Sequence, residues 1–292
     1  MGNCCAADST NSTTEPVQEK KKGGKKAAPK ANIAPEDDAP APVPVKEVLK
    51  DLDPPKSWGL KDEIQQFEQA LPFNRIDINE LIKRADAAAE KQNEATGNAG
   101  SFTLATLAEQ LDSPAWAALK DPNSTLAKLL LHDRFHEEDD TPKDQVDIDI
   151  FKCFGLFHCQ GKPEAKAICL YNILQDGGLE AHEQISAGDK DFKPNFIRLA
   201  ALASKNIFKL ANELGSDCPD YYTDEDCETM LNEDNVEVLV EDHFLEGVFG
   251  AKSRLENDQW LKQVQSKECK WIFTVDEFRE KILEVAGIEK KH

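Results

Sequence analysis

Beyond residue 57 the apolar positions of this chain recur every three or four residues, the spacing of one face of an α-helix. Leu60, Ile64, Phe67 and Leu71 make one such stripe, and Ile78, Leu81, Ile82, Ala85 and Ala89 make another. Phe192, Phe196, Leu199 and Ala203 run on into Ile207, Leu210, Ala211 and Leu214, while Val275, Phe278, Ile282 and Val285 close the chain. These stripes are core positions. Strand-like alternation occurs only at Val236, Val238 and Val240, and Leu239, Phe244 and Val248 let that stretch fit a helix as well. The pattern predicts an all-α fold.

The first 57 residues are different material. No aromatic residue precedes Trp58, and eight of the fifteen prolines lie there. Such a segment cannot bury enough apolar surface to offset its chain entropy, which predicts a disordered tail over residues 1–57. Lys20, Lys21, Lys22, Lys25, Lys26 and Lys30 form a basic block in it, followed by a Pro/Ala spacer of polyproline type. Folded lobes are expected at residues 58–161 and 162–288.

Charge and cysteine content narrow the function classes. Residues 1–30 carry six Lys against Asp8, Glu15 and Glu19, yet the whole chain has 35 Lys and Arg against 55 Asp and Glu, a net of −20. The acid therefore sits on the folded part, which excludes the basic footprint of a nucleic-acid binder. No stretch approaches the ~20 apolar residues that span a bilayer. Cys153, Cys159, Cys169, Cys218, Cys227 and Cys269 show no disulfide framework and are expected as reduced thiols in the cytosol.

The most specific short motif is the start, Met1-Gly2-Asn3-Cys4-Cys5-Ala6. Removal of Met1 would leave Gly2 as an amine for N-myristoyl transfer, and Cys4 and Cys5 as neighbouring thiols for palmitoylation. One myristoyl chain holds a membrane only marginally, so stable attachment needs a second acyl group or a polybasic stretch. Cys4 and Cys5 offer the first, and Lys20, Lys21, Lys22, Lys25 and Lys26 the second. Ala6 departs from the Ser or Thr that acceptors prefer, and an inert terminus is the alternative.

A recurring local unit follows. Five times an apolar residue precedes Thr, Asp or Ser and then a new helical stripe: Phe102-Thr103, Val146-Asp147, Ile185-Ser186, Tyr222-Thr223 and Phe273-Thr274, at spacings of 44, 39, 37 and 51 residues. Helix-loop-helix units of the calcium-binding type have this length, with an apolar residue at loop position 8 and a small polar one at position 9. The last unit fits that frame, with Glu277 at position 12 and Phe278 at 13. The same signature also describes a hydrophobic staple with a capping box, which opens ordinary helices.

Between these units the stretch Phe151 to Lys166, through Gly155, Gly161, Pro163 and Glu164, then Leu170 to Leu174 and Ile185-Ser186, resembles the link between the second and third hands of EF-hand sensors. The likeness is to the neuronal calcium sensor and calcineurin B-like types, and the acylated start resembles that of flagellar calcium-binding proteins. It covers residues 146 to 202. The resemblance implies paired EF-hand-like helices, a calcium site, an apolar groove for a partner's amphipathic helix, and a place on the cytosolic face of a plasma or ciliary membrane.

The loops depart from that chemistry. Calcium asks for six to eight oxygens, with carboxylates at alternate loop positions, Gly at 6 and a bidentate Glu at 12. Unit one offers Ala95, Gly97, Ala99 and Thr106; unit two puts Lys143 at position 5 and Ile150 at position 12; unit five has Ser266, Glu268 and Lys270. The acidic stretch Asp176, Glu180, Glu183, Asp189 and Asp191 is the best remaining metal candidate, without regular spacing. Calcium binding is expected to be weak or lost. His132 and His136, one helical turn apart, supply at most half a metal site. Phosphate-loop, nucleophile-elbow and His-Glu-x-x-His motifs are absent, so no enzyme is expected. The expected function is a membrane-anchored adaptor or divergent calcium sensor. The alternative is a structural scaffold of a membrane-associated cytoskeleton, cortical or ciliary.

Overall fold

Helix propensity and the apolar stripes above build most of the described residues into helices, in a computed structural model that describes residues 48–54, 63–98, 100–133, 142–175, 178–179, 182–190, 192–214 and 222–289. The chain divides into units Met1–Lys46 and Glu47–His292, and every described residue belongs to the second. The helices are α1 (Glu63–Ala70), α2 (Ile78–Thr96), α3 (Leu104–Gln110), α4 (Thr125–Leu130), α5 (Ile148–His158), α6 (Pro163–Leu174), α7 (Phe192–Ala201), α8 (Ile207–Glu213), α9 (Asp224–Met230), α10 (Glu233–Glu237), α11 (Glu246–Phe249), α12 (Asn257–Val264) and α13 (Val275–Ala286). A π turn, Leu202–Asn206, joins α7 to α8, and a second, Val238–Leu245, joins α10 to α11.

Four short strands punctuate the helices: β1 (Ser101–Thr103), β2 (Gln145–Asp147), β3 (Gln184–Ser186) and β4 (Arg254–Glu256). They form two antiparallel ribbons. In one, Phe102 faces Val146; in the other, Ile185 faces Leu255. All four central residues are buried, so each ribbon ties two helix-strand-helix units through an apolar pair. The other two expected units, Tyr222-Thr223 and Phe273-Thr274, open helices as expected but join no ribbon. Tyr222-Thr223 is no strand: Thr223 caps α9, accepting from the Asp226 amide while the Asp226 carboxylate accepts from the Thr223 amide. Phe273-Thr274 ends a 3-10 turn, Lys270–Phe273, and leads into α13. The partner of Ile185 is Leu255, which the recurring motif passed over.

Residues 48–54 correct a further expectation, because they belong to the packed body and not to the tail. Leu49 is buried, the Leu52 amide donates to the Arg75 carbonyl at 2.8 Å, and Arg75 Nε donates to the Leu52 carbonyl at 2.6 Å. Asp51 accepts from Ser113 Oγ at 2.5 Å and the Ala115 amide at 3.0 Å, capping the 3-10 helix Pro114–Lys120. Truncation should show this: removing residues 1–46 should leave urea stability unchanged. Removing 1–57 should cost about 3 kcal/mol, from one buried Leu and one cap. Equal stability of the two truncations would refute the strap.

Aromatic rings fill the core on both sides of residue 161. Phe73 packs edge-on to Trp116 and beside Phe151 and Phe154, while Trp260 packs with Tyr171, Phe192 and Phe244. The expected division at 161 separates the two ribbons, but packing crosses it, for Phe157 of α5 lies 5.4 Å from Phe278 of α13. Gly155 lets α2 and α5 close up. A Cβ there would overlap Leu81 Cδ2 and stand 3.0 Å from Ile78 Cδ1, both fully buried side chains.

Candidate functional site

The first loop is closed by its own uncharged side chains. Gly97, at φ 78°, ends α2 in the left-handed conformation that glycine adopts without a Cβ clash. Asn98 Oδ1 then accepts from the Gly100 amide, and Asn98 Nδ2 donates to Ser101 Oγ at 2.9 Å. Ser101 Oγ donates to Gln145 Oε1 at 2.5 Å across the ribbon. Thr106, at the position a bidentate Glu would hold, donates to Gln92 Oε1 at 3.2 Å and pairs with Thr103 Oγ1 at 2.9 Å. Hydroxyls and amides thus satisfy one another where an ion would need carboxylates.

The described residues of the other loops are no better furnished. Asp147 is a helix cap, accepting from the Asp149 and Ile150 amides at 2.8 and 2.9 Å, and Ile150 is buried at position 12. Counted on Leu255, the fourth loop carries Lys252 and Arg254 at positions 5 and 7, and Glu256 Oε1 accepts from Gln184 Nε2 at 2.8 Å. In the third loop Glu183 is exposed and Asp189 is half-buried, its amide donating to the Ser186 carbonyl at 3.3 Å. Asp176, Glu180 and Asp191 lie outside the described residues, as do Gly2, Cys4, Cys5, Lys20, Lys21, Lys22, Lys25, Lys26, His136 and Cys218. Among the described residues no group of three or more His, Cys, Asp or Glu is placed to hold a metal ion. His132 Nε2 lies 3.1 Å from Glu213 Oε2.

A buried polar centre, which the sequence did not disclose, lies where α13 meets α1, α6 and the first π turn. Arg279 is 5% exposed and Glu68 is 4% exposed, and their side chains pair, Nη2 to Oε1 at 2.5 Å. Arg279 Nε donates to the carbonyl of Ala203, inside the π turn, at 2.5 Å. Lys166 Nζ donates to the Phe273 carbonyl at 3.0 Å, and burial lowers its pKa. His158 is buried between Phe73, Phe154 and Phe157, and burial, with Arg279 and Lys166 adding to it, pulls its pKa from 6.5 to about 3. It is therefore neutral at pH 7.

Among the described residues few large apolar side chains reach the surface, and one stretch of it is strongly acidic. Large apolar side chains that stay exposed among the described residues are Val48, Ile168 and Val238. Helix α13 packs onto the body through Val275, Phe278, Ile282 and Leu283, all buried. Phe278 stacks on Trp271 at 5.5 Å and packs against Phe196 at the same distance. Between Lys209 and Lys252 the chain has thirteen acids and no Lys or Arg. Glu233, Asp234, Glu237, Glu241, Asp242 and Glu246 from that stretch are exposed. No described helix is long and apolar enough to cross a membrane. A scan against protein-family models finds no match, and searches of the curated proteins and of the solved structures find none either.

Proposed function

We propose that this chain is a lipid-anchored adaptor on the cytosolic face of a plasma or ciliary membrane, built on EF-hand-like helix-loop-helix pairs that need no calcium. One observation carries it: the self-satisfied first loop, in which Gln92, Asn98, Ser101, Thr103, Thr106 and Gln145 bond one another in place of an ion. The pairing of Phe102 with Val146 and of Ile185 with Leu255 supports it, since the loops are joined two by two through buried apolar residues. Calorimetric titration tests it. Calcium at tens of micromolar should give no cooperative change in tryptophan fluorescence, and any residual binding should be as weak as ~10⁻⁴ to 10⁻³ M. That residue of affinity belongs to Asp176, Glu180, Glu183, Asp189 and Asp191, and Asp189→Asn with Asp191→Asn should abolish it. Submicromolar binding would make the protein a true sensor.

Attachment rests on Gly2, Cys4 and Cys5. Gly2→Ala should release the protein to the cytosol, because the second acyl group depends on a terminus already held at the membrane. Cys4→Ala with Cys5→Ala should leave weak, salt-sensitive binding through Lys20, Lys21, Lys22, Lys25 and Lys26 at about 1 kcal/mol per lysine. Unchanged membrane fractionation of the Gly2 variant would end this part of the proposal.

The small number of exposed large apolar side chains among the described residues favours a second reading, a structural element of a membrane-associated cytoskeleton, cortical or ciliary, with no calcium response. Detergent extraction separates the two. An adaptor leaves with the solubilised membrane, whereas a cytoskeletal element stays in the insoluble residue.

A further inference from the structure

The joint from Cys159 to Lys162 links α5 to α6, and so links the half built on the first ribbon to the half built on the second. Gln160 within it bonds outward. Its amide donates to the Ile76 carbonyl at 3.1 Å, and its carbonyl accepts from the Ile78 amide at 2.8 Å. Gln160 Nε2 gives its two protons to two further segments, the Asp53 carbonyl at 2.7 Å and the Asn74 carbonyl at 2.8 Å, 107 and 86 positions away in sequence. One half-buried residue therefore holds the strap at 48–54, the 3-10 turn Pro72–Arg75 and the start of α2. Further contacts tighten the arrangement. A Cβ on Gly161 would stand 2.6 Å from Ile78 Cγ2, and Ile78 is fully buried, so the joint lies against α2 with no room for a side chain. Leu52 and Arg75 bond each other, which closes a ring of strap, turn and joint. Asn74 Nδ2 donates to the Gln69 carbonyl at 3.0 Å and ties the same turn to the end of α1.

We propose that Gln160 is a latch that couples the strap to the joint, so that these two parts of the body hold or open as one. Strap, turn and joint are irregular segments, and one hydrogen bond does not repay the entropy of ordering such a segment by itself. In a ring the cost is shared. The two main-chain bonds to Ile76 and Ile78 place Gln160, and its side chain then reaches both the Asp53 and the Asn74 carbonyls without further ordering. Asp53 belongs to the segment that follows the tail in sequence, so the chain enters the body at the joint between its two halves. The use of the latch rests on the anchored-adaptor reading. A body whose tether is fixed at that joint presents both halves at one angle, whereas a tether on the end of one half would leave the other to swing.

Deuterium exchange of single amides in the full chain, made without acyl groups, decides it. The Leu52 amide, held by the Arg75 carbonyl, reports the strap, and the Ile78 amide, held by Gln160, reports the joint. The Ile148 amide, held by the Gly100 carbonyl at the far end of α5, is the control. Gln160→Ala keeps the main-chain bonds and removes the two side-chain ones. It should speed exchange at both Leu52 and Ile78 by about tenfold and leave Ile148 unchanged. Asp51→Ala frees the strap from Ser113 and Ala115 and touches nothing in the joint, yet it should speed Ile78 as well as Leu52, because coupling is reciprocal. An unchanged Leu52 in Gln160→Ala, or an unchanged Ile78 in Asp51→Ala, overturns the latch. Acceleration that reaches Ile148 overturns it as well, since the loss would then belong to the whole body. None of these readouts uses calcium, lipid or a partner, so failure of the latch and failure of the adaptor reading are told apart.

Discussion

Arg279→Met should lower the unfolding free energy by about 3–5 kcal/mol, because it leaves the Glu68 charge buried without the guanidinium that neutralises it. Both side chains are almost fully enclosed, so water cannot take over the role. The double change Glu68→Leu with Arg279→Met should recover most of the loss, since apolar groups of similar volume carry no desolvation cost at that site. Urea denaturation of the four proteins in the cycle measures this. If the single variant loses under about 1 kcal/mol, solvent reaches the pair in solution.

Acid should unfold the protein through His158. Its folded pKa, about 3, lies below the ordinary 6.5, so between those values the unfolded chain binds a proton that the native state refuses. Stability is therefore intact above pH 6.5 and falls as pH drops toward 3. At about 1.4 kcal/mol per unit, the loss between pH 7 and pH 4 is about 3 kcal/mol. Carboxylates titrate over the same range, so the measurement is the difference between the native protein and His158→Gln. The variant should lose markedly less stability over that interval, and parallel pH curves would take His158 out of the account.

What the sequence disclosed follows from which interactions are local. The stripes from Ile78 to Ala89 and from Val275 to Ile282 show directly, because a helix writes its buried face at three- and four-residue spacing. Phe102, Val146 and Ile185 were legible as apolar residues that precede a new helix, from the small or acidic residue that follows each, while their pairing in ribbons is a long-range contact that no local pattern writes. Leu255 was not, because Arg254 and Glu256 flank it and make it look like surface. Tyr222 and Phe273 carry the same signature and begin helices without a ribbon, since an apolar residue before a Thr also opens an ordinary helix. Glu68 and Arg279, 211 positions apart, read singly as solvated charges, and only tertiary packing makes them a pair. The strap at 48–54 is hidden in the sequence because it has no aromatic residue, and its anchors are Leu49 and a carboxylate.

Five sulfurs, those of Cys153, Cys159, Cys169, Cys227 and Cys269, are buried in the folded body. Burial raises the Cys153 and Cys159 thiols well above their ordinary range, lifts Cys169 to about 12 and raises Cys269. Alkylating reagents attack the thiolate, and at neutral pH these four positions supply almost none. The native body is therefore silent to maleimide at those positions, and each becomes reactive only when its surroundings open. The order in which they react on a urea gradient would chart which part of the molecule comes apart first, with no label added by mutation.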